Sequence, residues 1–218
     1  GNSINGNGAD INGSINTSGN GSTDVSGNST NGTGVIVDPN GSINTTDNGT
    51  TNISGESTNG SGADINGSIN TSGNGSTDIS GNSTNGTGVI VDPNGSINTT
   101  DNGTTNISGG SANGSGADIN GSINISGNGA ADISGNSTNG NGAVINGDVN
   151  VTDNGTANIS GNSINGSGVI EGDNGSISIS GNGAADISGN STNGNGAVIN
   201  GDVNVTDNGA ANISGNST

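Results

Sequence analysis

Along this chain, apolar and polar positions alternate in short triplets. Ala9-Asp10-Ile11, Ile15-Asn16-Thr17 and Thr23-Asp24-Val25 each set two outer residues around a polar middle. A period of two is the signature of a strand, with the outer residues on one face and the middle residue on the other. Between the triplets stand Asn5-Gly6, Asn12-Gly13, Asn20-Gly21 and Ser26-Gly27, which predict four corners. Asn-Gly suits turns because both residues tolerate positive φ. With 47 glycines among 218 residues, no stretch favours a stable helix. Strand segments of three to five residues do not stand alone as hairpins, so each needs a copy of itself as partner.

The copies are present. One motif recurs eight times: residues 3–28, 29–56, 57–82, 83–110, 111–136, 137–162, 163–190 and 191–216. A fixed period in this range points to a stacked array. The predicted fold is all-β, a β-solenoid of about eight coils of 26–28 residues, forming one repetitive domain over residues 1–218. Strands stack ~4.8 Å apart in such a fold, and like side chains form interior ladders. One predicted ladder is Val25, Ile53, Ile79, Ile107, Ile133, Ile159, Ile187 and Ile213. A second is Ile15, Ile43, Ile69, Ile97, Ile123, Val149, Ile177 and Val203. Asn20 and its equivalents predict an amide ladder along the axis. The two halves of a repeat also resemble each other, so a coil of about half the length is the alternative winding. The halves are unequal, 14 residues against 12, which favours one coil per full repeat.

The copies alternate, giving a longer period of 54 residues, seen at Asn12, Asn66, Asn120 and Asn174. One column reads Asp24, Asn52, Asp78, Asn106, Asp132, Asn158, Asp186, Asn212. Another reads Gly19, Asp47, Gly73, Asp101, Gly127, Asp153, Gly181, Asp207. In neither does Asp follow Asp, so carboxylates are held ~9.6 Å apart rather than ~4.8 Å. Two-residue insertions fall around Val37-Asp38-Pro39, Val91-Asp92-Pro93 and Glu171-Gly172-Asp173, where a stack tolerates them. Pro39 and Pro93 lack an N–H and are expected at corners.

Composition narrows the function. The chain has no Lys, Arg, His, Cys, Met or aromatic residue, and a net charge of −18. Without imidazole, amine or thiol, an enzyme is not expected. The one-signed charge argues against nucleic acid and anionic membranes as partners. No apolar run is long enough to span a membrane. An apolar fraction of 23% is by itself a disordered composition, but fixed apolar slots argue for order. The chain starts and stops within the repeat pattern, which reads as a segment of a longer array or a processed protein.

Three chemistries remain to be weighed. Calcium has oxygen donors in 16 Asp and two Glu, but Gly6-Asn7-Gly8-Ala9-Asp10 only half matches the calcium-binding solenoid signature. Its Asp slot becomes Ile36, Ile90, Val144 and Val198 in alternate coils. No cofactor and no specific metal site are therefore expected, only loosely held counter-cations. N-glycosylation has many acceptor patterns; Asn16, Asn44, Asn52, Asn70, Asn106, Asn158 and Asn212 are the candidates, and they should point outward. Ice binding needs outward Thr arrays, whereas Thr17 and Thr23 share the parity of the inward Ile.

Runs such as Asp132-Ile133-Ser134-Gly135-Asn136-Ser137-Thr138 are similar in style to the repeat regions of bacterial or archaeal cell-surface proteins, the filamentous-haemagglutinin-like adhesins and related β-solenoid filaments. That resemblance implies an extracellular, cell-surface role. The expectation is a structural protein that forms or extends a surface filament by coil-on-coil stacking, with itself as main partner and glycans as candidate attachments. The alternative is the stalk of an adhesin carrying a binding tip. An ice- or calcium-binding solenoid ranks below both.

Overall fold

A computed structural model describes residues 1–218. Each coil contributes three strands, and equivalent strands of successive coils pair in parallel to build three sheets. In the third coil these strands are Ala63–Ile65, Ser68–Thr71 and Ser76–Ser83. We refer to the sheets they belong to as short, middle and long. The chain is all-β, and the short coil of about half a repeat is excluded, because Ile53 pairs with Ile79 and Ile79 with Ile107, one full repeat apart. Sequence order and space order coincide in every sheet, so each coil touches only its neighbours.

Inward residues of the three sheets form one continuous core. Ile43, Ile69, Ile97 and Ile107 are wholly buried, as are Ile133 and Ile159, while Ile53 and Ile79 are 1% exposed. Ile15 and Val25, in the first coil, are only partly buried. Two more columns come from the ends of the short strands, with Val35 and Val37, Ala63 and Ile65, and Val89 and Val91 all at 0% exposure. A fully buried Ile contributes about 1.5–3 kcal/mol by area, so the stack is held by repetition of a modest core rather than by any single layer.

Two expectations about the corners are corrected. Ser26-Gly27 is not a corner, because the long strand runs straight through it, from Ser22 to Ser29. The glycine serves close approach instead: a Cβ on Gly27 would collide with the Gly34 carbonyl oxygen. Backbone against backbone fills the core there, and the coil has three corners, not four. The strand of the long sheet is accordingly eight residues, longer than the predicted three to five. Second, positive φ does not fall on Asn-Gly. It falls on the residue before, Gly19, Gly73, Gly127 and Gly181 in one set of coils and Asp47, Asp101, Asp153 and Asp207 in the other. Asp is among the few side chains that tolerate this left-handed region.

Threonine enters the core as a hydroxyl chain. Thr17 and Thr23 bond each other at 2.6 Å, Thr51 donates to Thr17 at 3.2 Å, and Thr45 donates to Thr51 at 2.8 Å. The chain continues through Thr77, Thr71, Thr105 and Thr99. From the fifth coil on, both threonines of a coil are replaced together, by Ile125 and Ala131, Val151 and Ala157, then Ile179 and Ala185. Paired replacement is what a buried hydroxyl demands, since removing one partner orphans the other. Thr77→Ala should therefore cost about 1–3 kcal/mol. The double change Thr71→Ile with Thr77→Ala, which imports the later pairing, should cost less than the sum of the two single changes in urea unfolding.

Candidate functional site

Side chains that carry charge or hydrogen-bonding capacity are arranged on this fold in columns, one residue per coil. In the long sheet, the column of Asp24 and its equivalents faces out. Asn52 Nδ2 donates to Asp24 Oδ1 at 2.6 Å, Asn106 donates to Asp78 at 2.5 Å and Asn158 to Asp132 at 2.6 Å. At the corner between middle and long strands the direction is reversed. Gly19 N donates to Asp47 Oδ2 at 3.3 Å, Gly73 to Asp101 and Gly127 to Asp153 at the same distance, and Gly181 to Asp207 at 3.4 Å. Both sets of bonds join the same two coils: first to second, third to fourth, fifth to sixth. The spacing of acids thus does more than dilute repulsion. Within these two columns every carboxylate except Asp186 accepts a neutral N–H from its partner coil, in a chain without a single basic side chain. Asp148 accepts an O–H instead, from Ser176 Oγ at 2.7 Å, across the boundary between the sixth and seventh coils.

The glycosylation candidates are members of these columns. Asn16, Asn44 and Asn70 stack in the middle sheet, with Asn44 donating to Asn16 at 2.8 Å and Asn70 to Asn44 at 2.9 Å. Asn52, Asn106 and Asn158 are the donors to Asp just described, and Asn212 is exposed on the last coil. The nitrogen that a glycan would join is already donating in Asn44, Asn52, Asn70, Asn106 and Asn158. The Asn20 column is an amide ladder too, with Asn48 donating to Asn20 at 3.2 Å and Asn74 to Asn48 at 3.1 Å. A further ladder through Asn5, Asn31, Asn59 and Asn85 was not singled out from the sequence, although its one-per-coil spacing was visible there.

Three acids are set apart by burial. Asp64 and Asp118 project from the middle of short strands, and burial raises both carboxyls above the ordinary range. For Asp64 the like charges of Asp92 and Asp38 add to burial, to about 7. For Asp118, Asn120 opposes the rise by hydrogen bonding and Asp92 adds to it. Glu171 occupies a core slot in register with Ile145 and Ile199 and is 0% exposed. Burial raises its carboxyl most, the N–H of Gly201 lowers it through a 2.6 Å bond to Oε2, and Asp202 raises it again. Composition offered no warning of Glu171, since the equivalent residues Val37 and Val91 are apolar. No group of three or more acidic side chains converges in a way that would hold a metal ion. Two shallow clefts of about 310 Å³ each lie on the surface, one between the Asp186 and Ser188 columns, the other along the corner from Pro93 to Asn174.

No protein-family model matches the chain, and no curated protein matches it. Among solved structures, the chain is aligned with the crystal structure of a TibC-catalyzed hyper-glycosylated TibA fragment, at 14% identity over 98% of this chain and 99% of that one. The TM-score is 0.16, and the likeness carries no argument about this chain.

The donor pattern is directly testable. Asn106→Asp removes the donor to Asp78 and leaves carboxylates on three successive coils, the new one lying between Asp78 and Asp132. Stability at neutral pH and low salt should fall by about 1 kcal/mol or more. The loss should shrink in high salt and vanish on acidification below the carboxyl range, as followed by thermal melts.

Proposed function

We propose that this chain is a structural repeat protein that builds or extends an extracellular, cell-surface filament by coil-on-coil stacking. The observation that supports it most is the register: every strand of each of the three sheets pairs in parallel with its own equivalent one coil away. A surface that pairs with a copy of itself accepts further copies, in the same chain or in another. The outer surface fits that role, being built of Asn, Ser, Gly and alternating Asp without a His, Lys or Cys side chain. The high negative charge keeps neighbouring rods apart sideways while the donor pattern relieves it along the axis. Self-association is the partner in this reading, and catalysis has no part in it.

Glycans, where attached, belong on Asn52, Asn106, Asn158 and Asn212, which recur on every second coil and so leave the most room. An intact mass above the sequence mass, localised to those residues, is the expected sign of modification.

Negative-stain imaging with mass-per-length measurement tests the filament. Thin fibres with one coil of 26–28 residues per ~4.8 Å of length are expected. A monodisperse short rod at all concentrations would overturn the proposal.

A further inference from the structure

The outer corner of the short sheet holds an acid row that the reciprocal donors do not reach. Asp64 sits in the middle of Ala63–Ile65, and its register partners on either side are Ile36 and Ile90. Two isoleucines therefore flank the carboxyl along the axis, and its Oδ1 is buried with no hydrogen-bond partner. Asp38 and Asp92 follow directly after the neighbouring short strands, Val35–Val37 and Val89–Val91, and open the first two inserted loops. The Asp92 N–H donates to the Ile65 carbonyl at 2.9 Å, which sets the Asp92 carboxyl beside that of Asp64, and Asp38 adds like charge from the opposite coil. The long strands packed alongside, Thr50–Ser57 and Ser76–Ser83, carry Glu56 and Asp78, neither of which bears on Asp64. Asp118, one coil beyond Asp92, bears on Asp92 from the far side. Every titratable group near this corner is thus an acid. Two carboxylates facing each other offer only acceptors, so a bond between them requires a proton.

We propose that coils two to four carry an acid-dependent clamp, in which Asp64 retains its proton and donates it to the Asp92 carboxylate, tying the third coil to the inserted loop of the fourth. Loss of that proton to solvent leaves two adjacent charges between apolar walls, and the clamp opens. The fold holds the Asp64 proton up to about pH 7, whereas the unfolded chain releases it near 3.8. Across that window the folded state binds a proton that the unfolded state has lost, so stability falls as pH rises and levels off above it. An isolated acidic surface residue gives no such slope above about pH 5.

Urea unfolding of the full chain from about pH 4 to 8 tests this. Wild type should lose stability steadily to near pH 7. Asp64→Asn should take up roughly one proton fewer on folding near pH 6, while Asp78→Asn should keep the wild-type slope. Asp92→Asn should end the decline at lower pH, because Asp64 exchanges a charged acceptor for a weaker neutral one and loses a like charge. An Asp64→Asn slope equal to wild type would overturn the proposal. So would calcium that stabilises wild type but not Asp64→Asn at about pH 8, since a cation would then be the natural occupant. If Asp64→Asn does not fold, a carbon-13 carboxyl titration of wild type decides, with a midpoint near 7 for the clamp and near 4 against it.

Discussion

Parallel pairing of each strand with its own copy, one coil away, is the constraint on which the rest of this structure depends. It forces like onto like at ~4.8 Å in every column, whatever the side chain. For isoleucine and valine this is favourable, and the interior ladders follow. For asparagine it is favourable as well, since an amide is both donor and acceptor and bonds to the amide above it. For aspartate it is not, because a carboxylate is only an acceptor and repels its copy.

The chain meets the last case by doubling its period. Asp24 lies under Asn52, and Asp47 lies over Gly19, so each acid faces a neutral donor. The two bonds run in opposite directions between the same two coils, which makes the coil pair the physical unit of the array. The Gly and Asp column has a second reason to exclude other residues, because its corner lies in the left-handed region. A Cβ on Gly73 would also come within 2.9 Å of the Asp47 backbone nitrogen. The threonine chain shows the same logic inside the core, where hydroxyls appear and disappear in pairs.

Much of this was legible in the sequence because a repeat displays its own alignment. Eight copies fix the coil length, the inward parity of Ile43 or Thr45, and the alternation of acids without reference to any other chain. What stayed hidden depended on how neighbouring segments approach one another, which the alternation along one strand does not display. Gly27 reads as a turn residue, but its role is to let the Gly34 backbone approach. Asn20-Gly21 reads as the positive-φ pair, yet the turn places that conformation one residue earlier, where the Asp/Gly alternation had been explained by charge alone. Glu171 and Asp64 were hidden for a similar reason, since burial of an acid is decided by its neighbours on adjacent coils. The candidate glycosylation sites were easy to find and hard to interpret, because the same amide nitrogens serve the ladders.

Coil deletion tests the central claim, that the stable unit is a pair of coils. Removing residues 57–110 takes out one pair and sets Asn52 beside Asp132 and Asp47 beside Gly127, preserving the alternation. Removing residues 57–82 takes out one coil and sets Asp47 beside Asp101 and Asp38 beside Asp92. The shorter chain should melt at the higher temperature at neutral pH, and the difference should disappear below the carboxyl range. If stability instead follows length alone, with the single-coil deletion the more stable at every pH, the coil and not the pair is the unit, and the account is wrong.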